Sequence, residues 1–357
     1  MRKMRVAVAI AAVSLVAASC GSDSKSTTSS AAATTEAAAS TAAASTEAAA
    51  STEAAATTEA AQDTVAQTAQ GDLEIAVITH SDHGVFWSVF EKGANKACED
   101  LKVTCRVLGS ENDGQTQASM IDQAVADGVA GLAVSLADPD AIKGSVKAAV
   151  DAGIPVVTTN SGSKLYKEFG AFTHIGQDEF QAGQGAGEKF NEAGVKKAIC
   201  GKQEQTNVGL DERCAGFEDT FKGDVITQFV APDADIVAQQ AAWKTLFDAN
   251  PDVDGVFAVG PVISATAVAA ADELGRTLTV GSVDLSPDVL DNIESGKQLF
   301  TIDQQQYLQG YVSVLALYLN ATNANTLGGG LPIATGPGFV TKDNAAQVKE
   351  LVANGTR

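Results

Sequence analysis

Hydroxyls, amides, one carboxylate and a pair of aromatic rings recur where this sequence would meet a ligand. They stand at His80 to Trp87, Ser135 to Asp138, Asn160 with Ser161, Gly260 with Pro261, and Asp284. Each group follows a short run rich in Val and Ile, and in open α/β sheets ligands sit beyond the carboxyl ends of the strands. The mix suits a neutral polyhydroxylated ligand. Planar side chains bond adjacent hydroxyls in pairs, and Phe86 or Trp87 can lie against the C–H face of a sugar ring, although core packing at a helix start accounts for at least one of the two. Catalysis is poorly served. The chain has three histidines, His80, His83 and His174, and no base and nucleophile pair converges on one strand end. Neither a Walker loop nor a Gly-x-Ser-x-Gly elbow occurs. His80-x-x-His83 with Asp82 lacks a third strong ligand, so no metal and no other cofactor is expected. His80 and Asp82 can instead extend the polar set or stand in a solvent-facing loop.

These residues need a scaffold. Apolar runs at 73–79, 104–108, 131–135, 155–159, 197–200, 225–230, 253–259, 277–282 and 299–302 alternate with segments of helical period, which is the pattern of repeated βαβ units. One helix is plainly marked: Asp138 caps it, Pro139 opens it, Ile142, Val146, Ala149 and Val150 form its stripe, and Gly153 ends it. Gly183-x-Gly185-x-Gly187 lies inside a helical segment without the strand-turn-helix setting of a dinucleotide loop, so close helix packing is its reading. Roughly 290 residues of such units exceed one comfortable sheet, and two doubly wound parallel-sheet lobes with a cleft between them are expected.

The 357 residues carry a net charge of −20, and the basic residues Arg2, Lys3 and Arg5 fall in the leader, so the folded part is acidic and a nucleic-acid partner held through phosphates is excluded. After Arg5 an apolar run to Ala18 is too short to span a bilayer and ends in small residues, as in a secretory signal. Small residues directly before Cys20 resemble a lipoprotein cleavage site, which makes Cys20 the lipidated start of the mature chain and the membrane a partner through acyl chains. Residues 21–70 collapse to Ala, Ser, Thr and Glu with Ser-Thr-Glu-Ala-Ala-Ala repeated. Such a stretch has no core to bury and reads as a tether, its ends roughly 40 Å apart as a flexible coil. In an exported chain the four remaining cysteines are expected as disulfides. Cys98 and Cys105 lie in adjacent elements, as do Cys200 and Cys214, so the local pairs Cys98–Cys105 and Cys200–Cys214 are expected as staples.

From about residue 73 onward the chain resembles the ribose/galactose-type periplasmic binding proteins, the substrate-binding components of ABC sugar importers. The resemblance rests on Phe86-Trp87 ahead of Lys92-Gly93-Ala94, on Ser135-Leu136-Ala137-Asp138-Pro139-Asp140-Ala141, and on Gly153-Ile154-Pro155-Val156-Val157-Thr158-Thr159-Asn160. It continues through Arg213 before Gly216-Phe217, Asn250-Pro251-Asp252-Val253, Val280-Gly281-Ser282-Val283-Asp284 and Asp303-Gln304-Gln305-Gln306. It implies two lobes joined by a three-segment hinge, crossing near 172–177, 302–306 and 325–335. The first lobe would be 71–175 with 304–328, the second 176–303 with 329–357. By position it implies Phe86 and Trp87 as the stacking pair, Ser135 and Asn160 as contacts from the first lobe, Arg213 and Asp284 from the second, and Gln304 from the hinge. Gly260-Pro261 departs from a common Asn-Asp pair and Gly84-Val85 from a common Asn-Pro, which removes the basis for a pentose assignment. The function implied is a non-catalytic, monomeric receptor on the outer face of the membrane that passes a sugar or polyol to an ABC permease and its ATPase. A sensor feeding a chemoreceptor or kinase is the alternative. Related DNA-binding repressors share the fold, but an export signal stands where their DNA-reading helices would be.

Lipidation at Cys20 is directly testable: mass spectrometry of the mature, membrane-associated protein is expected to show an acylated N-terminal cysteine, and a Cys20→Ala chain that stays anchored would refute it.

Overall fold

The computed structural model describes residues 73–82 and 84–357. Cys20, the tether and His83 lie outside the described residues. Strand and helix alternate through β1 (Glu74–Thr79), α1 (Gly84–Leu101), β2 (Thr104–Gly109), α2 (Gly114–Asp127), β3 (Gly131–Val134), α3 (Pro139–Asp151), β4 (Val156–Thr159) and β5 (Thr173–Gly176). The second lobe follows with α4 (Glu179–Glu192), β6 (Lys197–Lys202), α5 (Val208–Thr220), β7 (Asp224–Phe229), α6 (Ile236–Ala249), β8 (Gly255–Ala258), α7 (Pro261–Glu273), β9 (Thr279–Val283), α8 (Pro287–Ser295) and β10 (Phe300–Asp303). The chain then returns through α9 (Gln306–Asn323) and β11 (Ile333–Ala334), and ends with β12 (Gly338–Thr341) and α10 (Ala345–Ala353).

Two six-stranded sheets result, ordered β11-β5-β4-β3-β1-β2 and β12-β10-β9-β8-β6-β7. Each lobe is doubly wound, as expected. Strands β3, β4 and β8 are buried along their whole length, because helices cover both faces of a parallel sheet. Caps fix where the helices begin: Asp113, Asp138, Asp178, Asn207 and Ser286 each accept an amide from the first turn of their helix. Helix α3 carries the expected Pro139 start and buries Ile142, Val146 and Ala149, and the chain turns at Gly153 with φ 79°. The second lobe's core is aromatic. Phe190 meets Phe217, Phe221, Phe257 and Phe300 edge-on, with ring centroids 5.0 to 6.4 Å apart.

Three short strands, β5, β11 and β12, are absent from the sequence reading because two to four residues such as Thr-His-Ile-Gly carry no apolar run. Their positions correct the hinge. Ile333 pairs with Ile175 and packs into the first lobe's core, so the third crossing comes at 335–337 instead of at 328/329. Strand β12 is the one antiparallel member, returning alongside β10. Disulfides Cys98–Cys105 and Cys200–Cys214 each tie a helix to a neighbouring strand within one lobe.

The glycines of α4 are packing residues, as expected. A Cβ at Gly183 would lie 2.0 Å from the Arg213 carbonyl oxygen, and one at Gly216 of α5 would lie 2.0 Å from that of Phe180. The first lobe repeats the device where Gly93 of α1 meets Tyr307 and Gly310 of α9 meets Phe90, at 2.1 Å each. Gly183→Ala is therefore expected to destabilise by about 1–3 kcal/mol or more through overpacking against backbone. Gly144→Ala in α3, where a Cβ would meet nothing within 4 Å, is expected to stabilise by about 0.5–1 kcal/mol. Urea unfolding of both variants checks the contrast, and equal effects would refute it.

Candidate functional site

The carboxyl ends of both sheets face one cleft, and the polar residues expected there form a connected set. Asn160 follows β4 and Asp284 follows β9, and both hold left-handed backbone, with φ 62° and 74°. That conformation turns the chain sharply off the strand end and is tolerated by Asn and Asp better than by most side chains. Gln304, in the second crossing, donates from Nε2 to Asp284 Oδ1 at 2.7 Å and accepts from Asn160 Nδ2 at 3.4 Å. Its Oε1 also accepts from Gln309 at 2.9 Å. All four are buried.

Arg213, from α5, is 4% exposed, and each of its three side-chain nitrogens has a partner. Its Nε and Nη2 bind the two oxygens of Glu179 at 2.6 and 2.9 Å, and its Nη1 donates to the Val259 carbonyl at 2.7 Å. Asp284 Oδ2 lies 4.0 Å from Nη1. Burial pushes the Asp284 carboxyl up to about 7, against the pull of Arg213 and of the Gln304 hydrogen bond. Burial works against the Arg213 charge as well, yet Glu179 holds its pKa well above the ordinary value.

On the first lobe Ser135 Oγ accepts from the His80 backbone amide at 2.7 Å and is also hydrogen-bonded to His80 Nδ1 at 2.8 Å. The other ring nitrogen, Nε2, faces the second lobe, 3.4 Å from Asn207 Nδ2 and 3.7 Å from Glu204 Oε2. Burial holds His80 neutral, its pKa pushed down to about 3, with Arg213 adding to the effect. Trp87 meets the His80 ring edge-on at 4.9 Å and Phe86 meets Trp87 at 4.8 Å. Both aromatics belong to the first lobe's core cluster. Among the described residues no group of three His, Cys, Asp or Glu is placed to hold a metal ion.

The sequence reading missed four residues here. Glu179 orients Arg213. Asn207 caps α5, donates to Glu204 Oε2 at 2.8 Å and lies 3.1 Å from the Ser161 hydroxyl of the opposite lobe. Gln203 and Glu204 sit on the loop after β6. A sharper inspection of every strand end would have reached Gln203, since β6 has the same place in its sheet as β1; Glu179 and Asn207 have helix roles that hide them. The lobes touch across the cleft. Val208 donates its amide to the Ala137 carbonyl at 3.0 Å, and Lys164 pairs with Glu212 at 3.5 Å while lying over the Phe180 ring.

Two doubly wound lobes, three crossings and a buried polar cleft are the architecture of a bilobal solute-binding protein. A family model described as a periplasmic binding protein domain matches residues 75–325, and the chain belongs to that family of solute-binding proteins. Its sequence is 30% identical over 290 residues to a xylose/arabinose-binding protein of Sulfolobus acidocaldarius, covering 76% of this chain and 71% of the relative. Among solved structures, a carbohydrate transporter from Acidothermus cellulolyticus in complex with myo-inositol is 38% identical, with a TM-score of 0.77 over 80% of this chain and 100% of that one. An ABC transporter solute binding protein from Burkholderia graminis in complex with D-arabinose is 26% identical, with a TM-score of 0.71 over 78% and 98%.

The buried histidines give a pH signature. His174 bonds Thr158 Oγ1 at 2.9 Å and is pushed down to about 3 by burial. An unfolded histidine takes its proton near 6.5 and the folded one only near 3, so between these values the unfolded chain binds more protons and stability rises with pH. That stability is complete above about 6.5 and is lost as pH falls. Asp284 acts oppositely, its stabilising proton being lost as pH rises from about 4 through about 7. In His174→Asn, urea unfolding between pH 4 and 5.5 is expected to show a pH slope lower by about 1.4 kcal/mol per pH unit than wild type, close to one proton's worth. Parallel curves would refute it.

Proposed function

We propose that this protein is an extracytoplasmic receptor of an ABC importer that closes its lobes on a neutral sugar or cyclic polyol. The observation that carries the reading is the bonded chain Asp284–Gln304–Asn160, which joins the second lobe, the hinge and the first lobe. A hydroxylated ligand exchanging bonds with both ends stabilises the closed state, because only that state offers both sets of contacts. The relatives that bind myo-inositol, D-arabinose or xylose and arabinose support this ligand class. The role is capture and delivery to a permease and its ATPase, with no chemistry on the ligand. Ser135, through its grip on His80, shapes the first lobe's wall, and the Phe86–Trp87 pair supplies its apolar face. Arg213 fixes the opposite wall. The same reading has the chain held at the outer face of the membrane by acyl groups on Cys20, acting as a monomer at the end of its tether. That part rests on the sequence pattern around Cys20 and on the composition of the tether.

Calorimetric titration with myo-inositol, D-arabinose and D-xylose is expected to find a ligand with wild type. Asn160→Ala and Asp284→Ala should each cost on the order of 1.5–3 kcal/mol of binding free energy, about ten- to a hundredfold in affinity. Trp87 fluorescence should respond to closure. Unchanged affinity in both variants would remove the cleft assignment, and a protein that binds no sugar or polyol would remove the function.

A further inference from the structure

Gln203 is the first residue beyond β6, in the position that His80 takes beyond β1 of the other lobe. It is 7% exposed, and its amide oxygen is buried with no hydrogen-bond partner among the described residues. Its place is fixed by a missing side chain. A Cβ on Gly260 would lie 2.7 Å from Gln203 Nε2 and 3.1 Å from its Cδ, so the amide rests where a side chain at 260 would stand. The residue before Gly260 is Val259, whose carbonyl Arg213 holds, so the backbone that the Gln203 amide packs on continues directly into a contact of Arg213. Glu204 follows directly and turns its Oε2 toward His80.

We propose that Gln203 is a specificity-determining residue that accepts a hydrogen bond from one hydroxyl of the ligand, in the space left by the absent side chain at Gly260. The proposal rests on the polyol reading above. A buried acceptor without a partner is costly, and a bound hydroxyl removes that cost. The neighbouring groups set the chemistry. Asp284 and Glu204 add acceptors from the second lobe, while the Arg213 guanidinium gives three of its five N–H groups to Glu179 and the Val259 carbonyl, and Glu179 neutralises its charge. Such a wall selects hydroxyl donors and rejects ligand carboxylates and phosphates. Because one acceptor meets one hydroxyl, the selection is also positional, and only the ligand lacking that hydroxyl should be indifferent to Gln203.

The test is calorimetry of the full chain with myo-inositol, D-arabinose, the monodeoxy analogues of each, and D-glucuronate, on wild type, Gln203→Leu, Gln203→Asn, Gly260→Ala and Asp284→Ala. Gly260 has extended backbone, φ −156°, so alanine fits the chain there and acts only by displacing the amide. For the better-bound parent, Gln203→Leu and Gly260→Ala are each expected to lose about tenfold in affinity. One monodeoxy analogue should bind wild type and both variants within threefold of one another. Gln203→Asn, which keeps the amide but withdraws it by a methylene, should show the same pattern and serves if the leucine variant fails to fold. If the Gln203 variants bind every ligand like wild type while Asp284→Ala is weakened, the proposal falls and the polyol reading stands. An equal loss for the parent and all analogues would mean a merely structural role and also overturns it. D-Glucuronate binding as tightly as the parent overturns the selection of neutral ligands, and failure of wild type to bind any of the panel removes both readings.

Discussion

One side-chain amide holds the architecture of the site together. Gln304 lies in the second crossing, 1% exposed, and its amide reaches Asp284 of the second lobe, Asn160 of the first and Gln309 of α9. A buried amide leaves little freedom, since each hydrogen and lone pair must find a partner. The neighbouring residue is placed by the same logic. Gln305 adopts left-handed backbone with φ 58°, donates its amide to Asp303 Oδ1 at 2.8 Å and its side chain to the Thr335 carbonyl at 2.6 Å. The second and third crossings are thereby bonded to one another, and the residues that join the lobes are also residues of the cleft.

Against this anchored hinge, the Arg213–Glu179 pair is a positioning device. Burying two charges costs several kcal/mol per ion, and bidentate geometry recovers much of it without making the pair a strong source of stability. What the pair secures is direction, because a guanidinium bonded at Nε, Nη1 and Nη2 cannot swing toward a ligand. Asp284 is then left 4.0 Å from that charge, too far for full compensation, and its carboxyl sits near its titration point at neutral pH. A hydroxyl donated to such a carboxyl favours its ionised form.

Much of this was legible in the sequence, for reasons that mark the limit of such reading. The strand-end places of Asn160 and Asp284 were readable because strand ends in a parallel sheet are predictable from Val/Ile runs, and the packing role of the glycines of α4 because they fall inside a helical segment. The cysteine pairs followed from their places in adjacent elements. Glu179 and Asn207 escaped because each is an ordinary first-turn or capping residue until the fold brings a partner from elsewhere: Arg213, 34 positions along, and Ser161, 46 positions back. The third crossing was placed too early because β11 owes its existence to pairing with β5, a tertiary contact, and two residues carry no period.

The two sheets have the same order of winding, β2-β1-β3-β4-β5-β11 matched by β7-β6-β8-β9-β10-β12. Asn160 and Asp284 occupy matching strand ends with matching left-handed backbone, and the reciprocal glycine contacts of α1 with α9 recur between α5 and α4. Each lobe is thus built to present one polar turn at the same place. Chemistry then separates the pair. The first lobe offers an amide that both donates and accepts, the second a carboxyl beside an immobilised cation, and a ligand lying between them meets unlike partners. Two copies of one scaffold make the cleft, and the difference between Asn160 and Asp284 gives its two walls unlike chemistry, which under the proposed function would give a ring with distinguishable hydroxyls a preferred way to lie.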